Sequence, residues 1–84
     1  MRFDVALHAL RLFRSRSQAA AAIEDGRALL NGQPAKPSHA VRAGDWLTLA
    51  LPRGVARTVE LLELPRASMS REEARRLVRE VEPS

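Results

Sequence analysis

The sequence RLFRSRSQAAAAIEDGRALLNG, residues 11–32, decides the fold of this chain. It contains a basic elbow, a helix of small residues that a glycine closes, and a short apolar strand that enters an Asn-Gly turn. Ser15 and Gln18 have the spacing of a capping box, in which the hydroxyl accepts from the third helical amide and the glutamine reaches back to the cap amide. Gly26 supplies the left-handed residue that commonly ends a helix. The stretch therefore predicts a helix over about residues 16–25.

The strand and the turn after this helix have an equally local signature. Arg27 and Leu29 alternate with Ala28 and Leu30, which is the period-two pattern of a strand. Asn31-Gly32 then predicts a two-residue hairpin turn of type I′, because both residues tolerate positive φ.

The elbow combines free backbone amides with positive charge. The first turn of a helix leaves N–H groups without an intrahelical acceptor, and Arg11, Arg14 and Arg16 lie close to them in the sequence. Helix N-termini with cationic neighbours favour phosphate. For Arg16 the alternative interpretation is a salt bridge to Asp4 or Asp45.

The rest of the chain predicts one α+β domain with the element order α-α-β-β-β-β-α. Phe3, Leu7 and Leu10 form the apolar stripe of a first helix. Residues 33–37 contain two prolines, so we expect a short edge strand there, followed by a loop.

Two longer strands and a last helix are expected after residue 40. Leu47, Leu49 and Leu51 alternate with more polar residues. The turn at residues 52–54 then leads into a strand over residues 55–64. The Ser70–Glu73 spacing predicts a second capping box, which begins a C-terminal helix with an apolar side. The residues of that side are Ala74, Leu77, Val78 and Val81.

Charge is distributed unevenly along these 84 residues, whose net charge is +4. Residues 1–58 hold nine Arg and Lys against four acids, whereas residues 59–84 hold five against six. A basic surplus around the elbow attracts polyanions, of which nucleic acid is the commonest. Because 13 of the 14 cationic residues are arginine, coding bias without any binding role is the alternative.

Several function classes are disfavoured by what the sequence lacks. It has no cysteine, so neither a disulfide framework nor a thiolate metal site is expected. His8 and His39 are isolated, and no serine follows a nucleophile pattern. No apolar run approaches the roughly 20 residues that span a bilayer, and the N-terminal residues lack the pattern of a secretory signal. We therefore expect a cytoplasmic protein with no catalytic residues, cofactor, metal site or membrane contact.

A family resemblance follows from motifs that occur in a fixed order. The opening element is Arg2-Phe3-Asp4 with Leu7. The elements after it are Ser15-Arg16-x-x-Ala19-x-x-x-Ile23-x-x-Gly26, Asn31-Gly32, Lys36-Pro37-Ser38, Val41 and Gly44-Asp45-x-Leu47. Together they resemble the S4-type RNA-binding domain over roughly residues 2–50. The resemblance implies an αL-motif fold, in which two N-terminal helices pack on a small, mostly antiparallel sheet and a short helix follows.

The resemblance also implies which residues bind RNA. The side chains carried over as ribosomal or transfer RNA contacts are Arg2, Arg11, Arg14, Arg16 and Gln18. Ser15 and Ser17 would assist through hydroxyls or freed amides, and Lys36 would flank them. We expect residues 1–66 to form the RNA-binding domain and residues 67–84 to form a helical extension packed on or near it.

Two groups of small stand-alone bacterial proteins are most similar in layout. One is the fifteen-kilodalton heat-shock group, which binds large ribosomal subunits that carry a nascent chain. The other is the shorter ribosome-associated quality-control S4 group, which assists alanine tailing on obstructed large subunits. Chain length favours the second group. The resemblance to that group implies a nascent-chain tailing factor as a partner, and we expect the protein to be a monomer.

Three other functions remain open at this stage. The same surface would serve a general RNA chaperone or regulator that binds transfer or messenger RNA away from the ribosome. It would also serve an accessory RNA-binding module that works beside an RNA-modifying enzyme. A protein-only adaptor that uses the C-terminal helix is a third.

Overall fold

A computed structural model describes residues 1–50, 54, 56–66 and 69–81 of the chain. Within them, three helices and four strands follow one another as α1 (Phe3–Ala9), α2 (Arg16–Glu24), β1 (Ala28–Leu30), β2 (Trp46–Ala50), β3 (Ala56–Leu61), α3 (Arg71–Arg76) and β4 (Val78–Val81). The strands form one antiparallel sheet in the order β1-β2-β3-β4. The predicted α+β class is confirmed.

The hydrophobic core lies between the two N-terminal helices and one face of the sheet. Phe3 and Leu7 of α1 are fully buried, as the apolar stripe predicted. Ile23 is the only large residue that α2 buries, beside the fully buried Ala19 and Ala22. Because alanine side chains are small, α1 and α2 lie close together. The elbow that connects them is therefore anchored at both ends by helices that pack against each other.

Both ends of α2 are fixed by local hydrogen bonds. The Ser15 hydroxyl accepts from the amide of Gln18 at 3.1 Å, but the Gln18 side chain does not return a bond to the Ser15 amide, so only half of the predicted capping box forms. At the other end Gly26 has φ +78°. The amides of Gly26 and Arg27 bond to the carbonyls of Ile23 and Ala22 at 3.2 and 2.8 Å, which completes a Schellman motif.

The Asn-Gly turn after β1 is of the predicted type. Asn31 and Gly32 have φ values of +52° and +77°, and the amides and carbonyls of Leu30 and Gln33 bond to each other at 2.9 and 3.0 Å. The Asn31 side-chain carbonyl also accepts from the amide of Trp46 at 2.8 Å. The turn thereby positions the start of β2.

The predicted place of the fourth strand was wrong. Residues 33–37 make only one isolated bridge, between Gln33 and Leu30, because Pro34 and Pro37 have no amide to donate. The fourth strand is instead β4, which pairs with β3 beyond the last helix. The observed order is therefore α-α-β-β-β-α-β.

The C-terminal helix is also shorter than predicted. Ser70 and Glu73 form the full capping box that starts α3, yet the helix ends at Arg76. Val78 and Val81, assigned to the apolar side of that helix, lie in β4. Valine side chains suit a strand, and the edge of β3 offers the hydrogen bonds that a strand needs.

Two further predictions concern the β2–β3 connection. The strand predicted over residues 55–64 is observed over Ala56–Leu61. The predicted turn at residues 52–54 lies outside the described residues except for Gly54, as do Leu51 and Val55.

Arg11 ends α1 in a conformation that glycine normally adopts. Its φ is +63°, and the amides of Arg11 and Leu12 bond to the carbonyls of His8 and Leu7 at 3.0 and 3.1 Å. These bonds form a second Schellman motif, with arginine in its left-handed position. A non-glycine residue in that region costs about 1–2 kcal/mol.

This geometry predicts an unusual order of stability for two variants. Arg11→Ala keeps the strained φ and loses the side chain, whereas Arg11→Gly loses the same side chain and relieves the strain. We expect Arg11→Gly to be the more stable of the two by roughly 0.5–1.5 kcal/mol, after allowing for the greater unfolded-state entropy of glycine. Urea unfolding followed by circular dichroism measures the difference. An alanine variant as stable as the glycine variant would contradict a left-handed Arg11.

Candidate nucleic-acid interface

An open groove of about 750 Å³ lies between the elbow, residues 11–16, and the C-terminal segment, residues 69–78. We call it the basic groove. Six arginines line it, namely Arg11, Arg14, Arg16, Arg57, Arg71 and Arg75. No carboxylate from the described part of the chain is among its lining residues. Such a concentration of one charge favours an anionic ligand.

The elbow offers the groove both guanidinium groups and backbone amides. Arg14 and Arg16 are exposed, and neither forms an ion pair with a described residue. The amides of Arg16 and Ser17, in the first turn of α2, have no acceptor among the described residues. Of these two residues only Arg16 lines the groove, so one free amide lies beside the guanidinium groups of the elbow, which is an arrangement that suits phosphate.

The predicted salt-bridge alternative for Arg16 is wrong, because both acids have other partners. Asp4 accepts two hydrogen bonds from Arg2, each 3.0 Å long. Asp45 accepts from the amide of Arg42 at 2.8 Å and from the side chain of Asn31 at 3.2 Å.

Arg11 joins the two sides of the basic groove. One terminal nitrogen of its guanidinium donates to the backbone carbonyl of Met69 at 2.8 Å. This bond ties the elbow to the segment that precedes α3. Since a guanidinium carries five donors, Arg11, which lines the groove, retains donors beyond the one that Met69 accepts.

Arg2 and Lys36, by contrast, do not line the basic groove. Arg2 lies at the N-terminus of α1, and Lys36 precedes Pro37, whose carbonyl accepts from the amide of Asp4 at 3.1 Å. The seven residues of α1 place this end about 10 Å from the elbow. Of the eight predicted RNA contacts, the structure thus brings Arg11, Arg14 and Arg16 into one groove and places two at the opposite end of α1.

The remaining predicted contacts lie at the start of α2. Ser15 is half-buried and uses its hydroxyl as the helix cap. Ser17 and Gln18 are exposed in the first helical turn. Ser15 is therefore part of the elbow and the other two directly follow it, although none of the three residues lines the groove.

Three arginines of the groove were missed by sequence reasoning. Arg57 comes from β3 and forms an ion pair with Glu80 of β4. Arg71 and Arg75 come from α3, and neither is ion-paired to a described residue. The sequence did contain a signal for the last two, because Arg71 and Arg75 are four residues apart and therefore share one face of a helix. This basic face was overlooked because residues 59–84 together contain slightly more acidic than basic residues.

No metal site or membrane-spanning helix is found in the described residues. They contain no group of three or more His, Cys, Asp or Glu side chains placed to hold a metal ion. None of their helices has both the length and the apolar character needed to cross a bilayer.

The Arg2–Asp4 pair leads to a prediction about stability. The Asp4 residue is only 3% exposed, and its carboxylate also accepts from the amide of Val5 at 2.8 Å. Arg2→Ala leaves that buried carboxylate with one donor, so we expect a loss of about 1–2 kcal/mol in the free energy of unfolding. Arg42 is an exposed arginine shortly before β2, so Arg42→Ala is the control. Thermal unfolding compares the melting temperatures of the two variants. Equal melting temperatures would show that the pair is not structural.

Comparison with known proteins gives a family for the chain. Residues 1–47 match the family model described as the S4 domain. The solved structure of Heat Shock Protein 15 from Vibrio cholerae, described as trimeric, is 33% identical to the chain, with a TM-score of 0.88. The match covers 96% of this chain and 81% of the other. No curated protein sequence matched the chain.

These matches confirm the resemblance and the S4-like fold inferred from residues 2–50. They extend the likeness across α3 and β4, which lie beyond the family model's residues. The chain belongs to the S4 domain family and is a small RNA-binding protein.

Proposed function

We propose that this protein is a non-enzymatic factor that binds ribosomal and transfer RNA on the large ribosomal subunit, in quality control of stalled nascent chains. The observation that carries the proposal is the basic groove, which the arginines of the elbow line and where the amide of Arg16 has no acceptor among the described residues. A nascent-chain tailing factor is the protein partner proposed with it. A protein that acts on translating ribosomes functions in the cytoplasm, which is the location proposed with this function.

The groove supports recognition of RNA shape more than of RNA sequence. Guanidinium groups and backbone amides bind phosphate oxygens, which position a protein without reading bases. Folded RNA is recognised largely through its backbone and its shape. The large ribosomal subunit and transfer RNA are rich in such surfaces.

Within this proposal, Arg14 and Arg16 are the principal phosphate contacts. The hydroxyl of Ser15 holds the first turn of α2, so that the amides of Arg16 and Ser17 are directed outward. Gln18 extends the same surface. Arg2, whose charge is balanced by Asp4, and Lys36 are proposed as further contacts with a long RNA at the other end of α1.

The proposed active form is a monomer. Every side chain of the basic groove comes from one chain, so one protomer supplies a complete site. The related Vibrio cholerae protein is described as trimeric, which makes mass measurement of the RNA-bound protein by light scattering informative. One protein per RNA supports the monomer, and three proteins per RNA contradict it.

Binding to large subunits is expected to weaken steeply with salt. Neutralising about three to four phosphates gives a logarithmic slope near −2 to −3.6. The affinity should then fall roughly 20- to 150-fold between about 50 and 200 mM monovalent salt. Filter binding with purified subunits at fixed magnesium measures the slope. A flat response would contradict phosphate recognition by the elbow.

Arg16→Ala tests the elbow directly. The side chain is exposed and has no ion pair with a described residue, so the free energy of unfolding should change by less than about 1 kcal/mol. Loss of one charge-assisted contact should weaken binding about tenfold or more. Co-sedimentation with large subunits on sucrose gradients gives the readout.

The matched control is Arg76→Ala, which removes the same charge from a residue that faces away from the basic groove. We expect it to sediment with large subunits like the parent protein. If the parent binds free transfer RNA but does not sediment with large subunits, the ribosomal function is wrong and an RNA chaperone is the better interpretation. Equal behaviour of both variants would show that Arg16 is not a contact.

A further inference from the structure

The basic groove has two arginine walls. The elbow supplies Arg14 and Arg16 on one side, and α3 supplies Arg71 and Arg75 on the other. The α3 pair is separated by one helical turn, a spacing at which two like charges destabilise a helix. No described carboxylate neutralises any of these four side chains. Both walls are therefore suited to phosphate, including the α3 wall, which lies outside the elbow.

Apolar side chains form the floor between these walls. Val5 and Leu12 on the elbow side and Val78 at the start of β4 are each only half-buried. Phe13 also lines the groove, and it is half-buried and packed against the hydrophobic core. Phosphate alone would leave this floor in contact with water. A ligand with both a charged backbone and a flat apolar face would cover the floor and the walls together.

The size and the apolar floor of the groove distinguish between forms of RNA. A volume of about 750 Å³ is that of a small-molecule site, for which 300–1,000 Å³ is typical. A base-paired duplex keeps the faces of its bases stacked inside, so it has no apolar face to offer the floor of the groove. An unpaired nucleotide exposes its base and can place it on an aromatic ring.

We infer that the basic groove accepts an unpaired segment of RNA, such as a bulge or loop, with a base on Phe13 and phosphates held between the two walls. This inference rests on the proposed role of the groove as the RNA site and specifies the form of RNA that it takes. Arg71 and Arg75 are then RNA contacts, and Arg11 is a positioning residue that fixes the second wall through Met69.

Two synthetic RNA hairpins test the inference. Both have the same stem, fully paired in one and interrupted by a two-adenosine bulge in the other. Fluorescence anisotropy at one salt concentration measures their affinities for the full chain. We expect the bulged hairpin to bind at least about fivefold more tightly, since stacking of a base on an aromatic ring adds affinity of that order.

Variants of the floor and of the second wall should reduce that preference. Phe13→Leu keeps an apolar side chain and should lower the affinity for the bulged hairpin about fivefold or more, with little change for the paired one. The double variant Arg71→Ala/Arg75→Ala should do the same through the phosphates. Its matched control is Arg66→Ala/Arg76→Ala, which removes two charges that line a different surface and should keep the preference. Circular dichroism confirms that each variant is folded.

The outcomes separate this inference from the proposed function. Equal affinity of the parent for both hairpins would overturn the inference, even if the protein sediments with large subunits. A preference that survives both Phe13→Leu and the Arg71/Arg75 variant would also overturn it. A bulge preference that both variants remove, in a protein that does not bind large subunits, would support the inference and contradict the ribosomal function.

Discussion

The left-handed turn at Arg11 is the constraint on which the groove depends. It ends α1 in a Schellman motif, and so directs the chain into the elbow that presents Arg14 and Arg16. The guanidinium of Arg11 donates to the backbone carbonyl of Met69, which lies 58 residues later in the sequence. Glycine would form the turn with less strain, but it could not make this connection. A strained residue that positions two surfaces is typical of a functional site.

The packing behind the elbow explains how so small a domain keeps it in place. The alanines of α2 allow α1 to approach closely, yet they bury little apolar surface, and the burden falls on Phe3, Leu7 and Ile23. A domain of this size has a stability margin of only several kcal/mol. Local devices therefore matter, among them the Arg2 pairing of Asp4 and the capping box of α3. Arg2 contributes to the fold through that pairing, which a purely RNA-binding role would not require.

Features with local causes could be predicted from the sequence, and features with tertiary causes could not. Gly26 and the Asn31-Gly32 turn depend on backbone conformations that few other residues adopt, and both were confirmed. The strand at Val78–Val81 was assigned to a helix, because two valines three residues apart fit the helical period. The strand forms because β3 has an edge that β4 can pair with, and this is known only from the fold. The elbow arginines are close in sequence, whereas Arg71 and Arg75 join them only through the fold.

The distribution of ion pairs shows why these arginines form a binding surface. Among the described residues, the carboxylates of Asp25, Glu60 and Glu80 pair with Arg27, Arg79 and Arg57 respectively. Exposed pairs of this kind contribute at most about 1 kcal/mol each to stability. Their importance is that they use these carboxylates elsewhere and leave the arginines of the two walls without an ion-pair partner among the described residues. The repulsion among the arginines of the two walls lowers the stability of the free protein. Phosphates in the groove add contacts and remove that repulsion, and by linkage any ligand that binds only the folded state stabilises it. The Arg11–Met69 hydrogen bond joins the two sides of the groove, so the arginines are already placed around it before an anion binds.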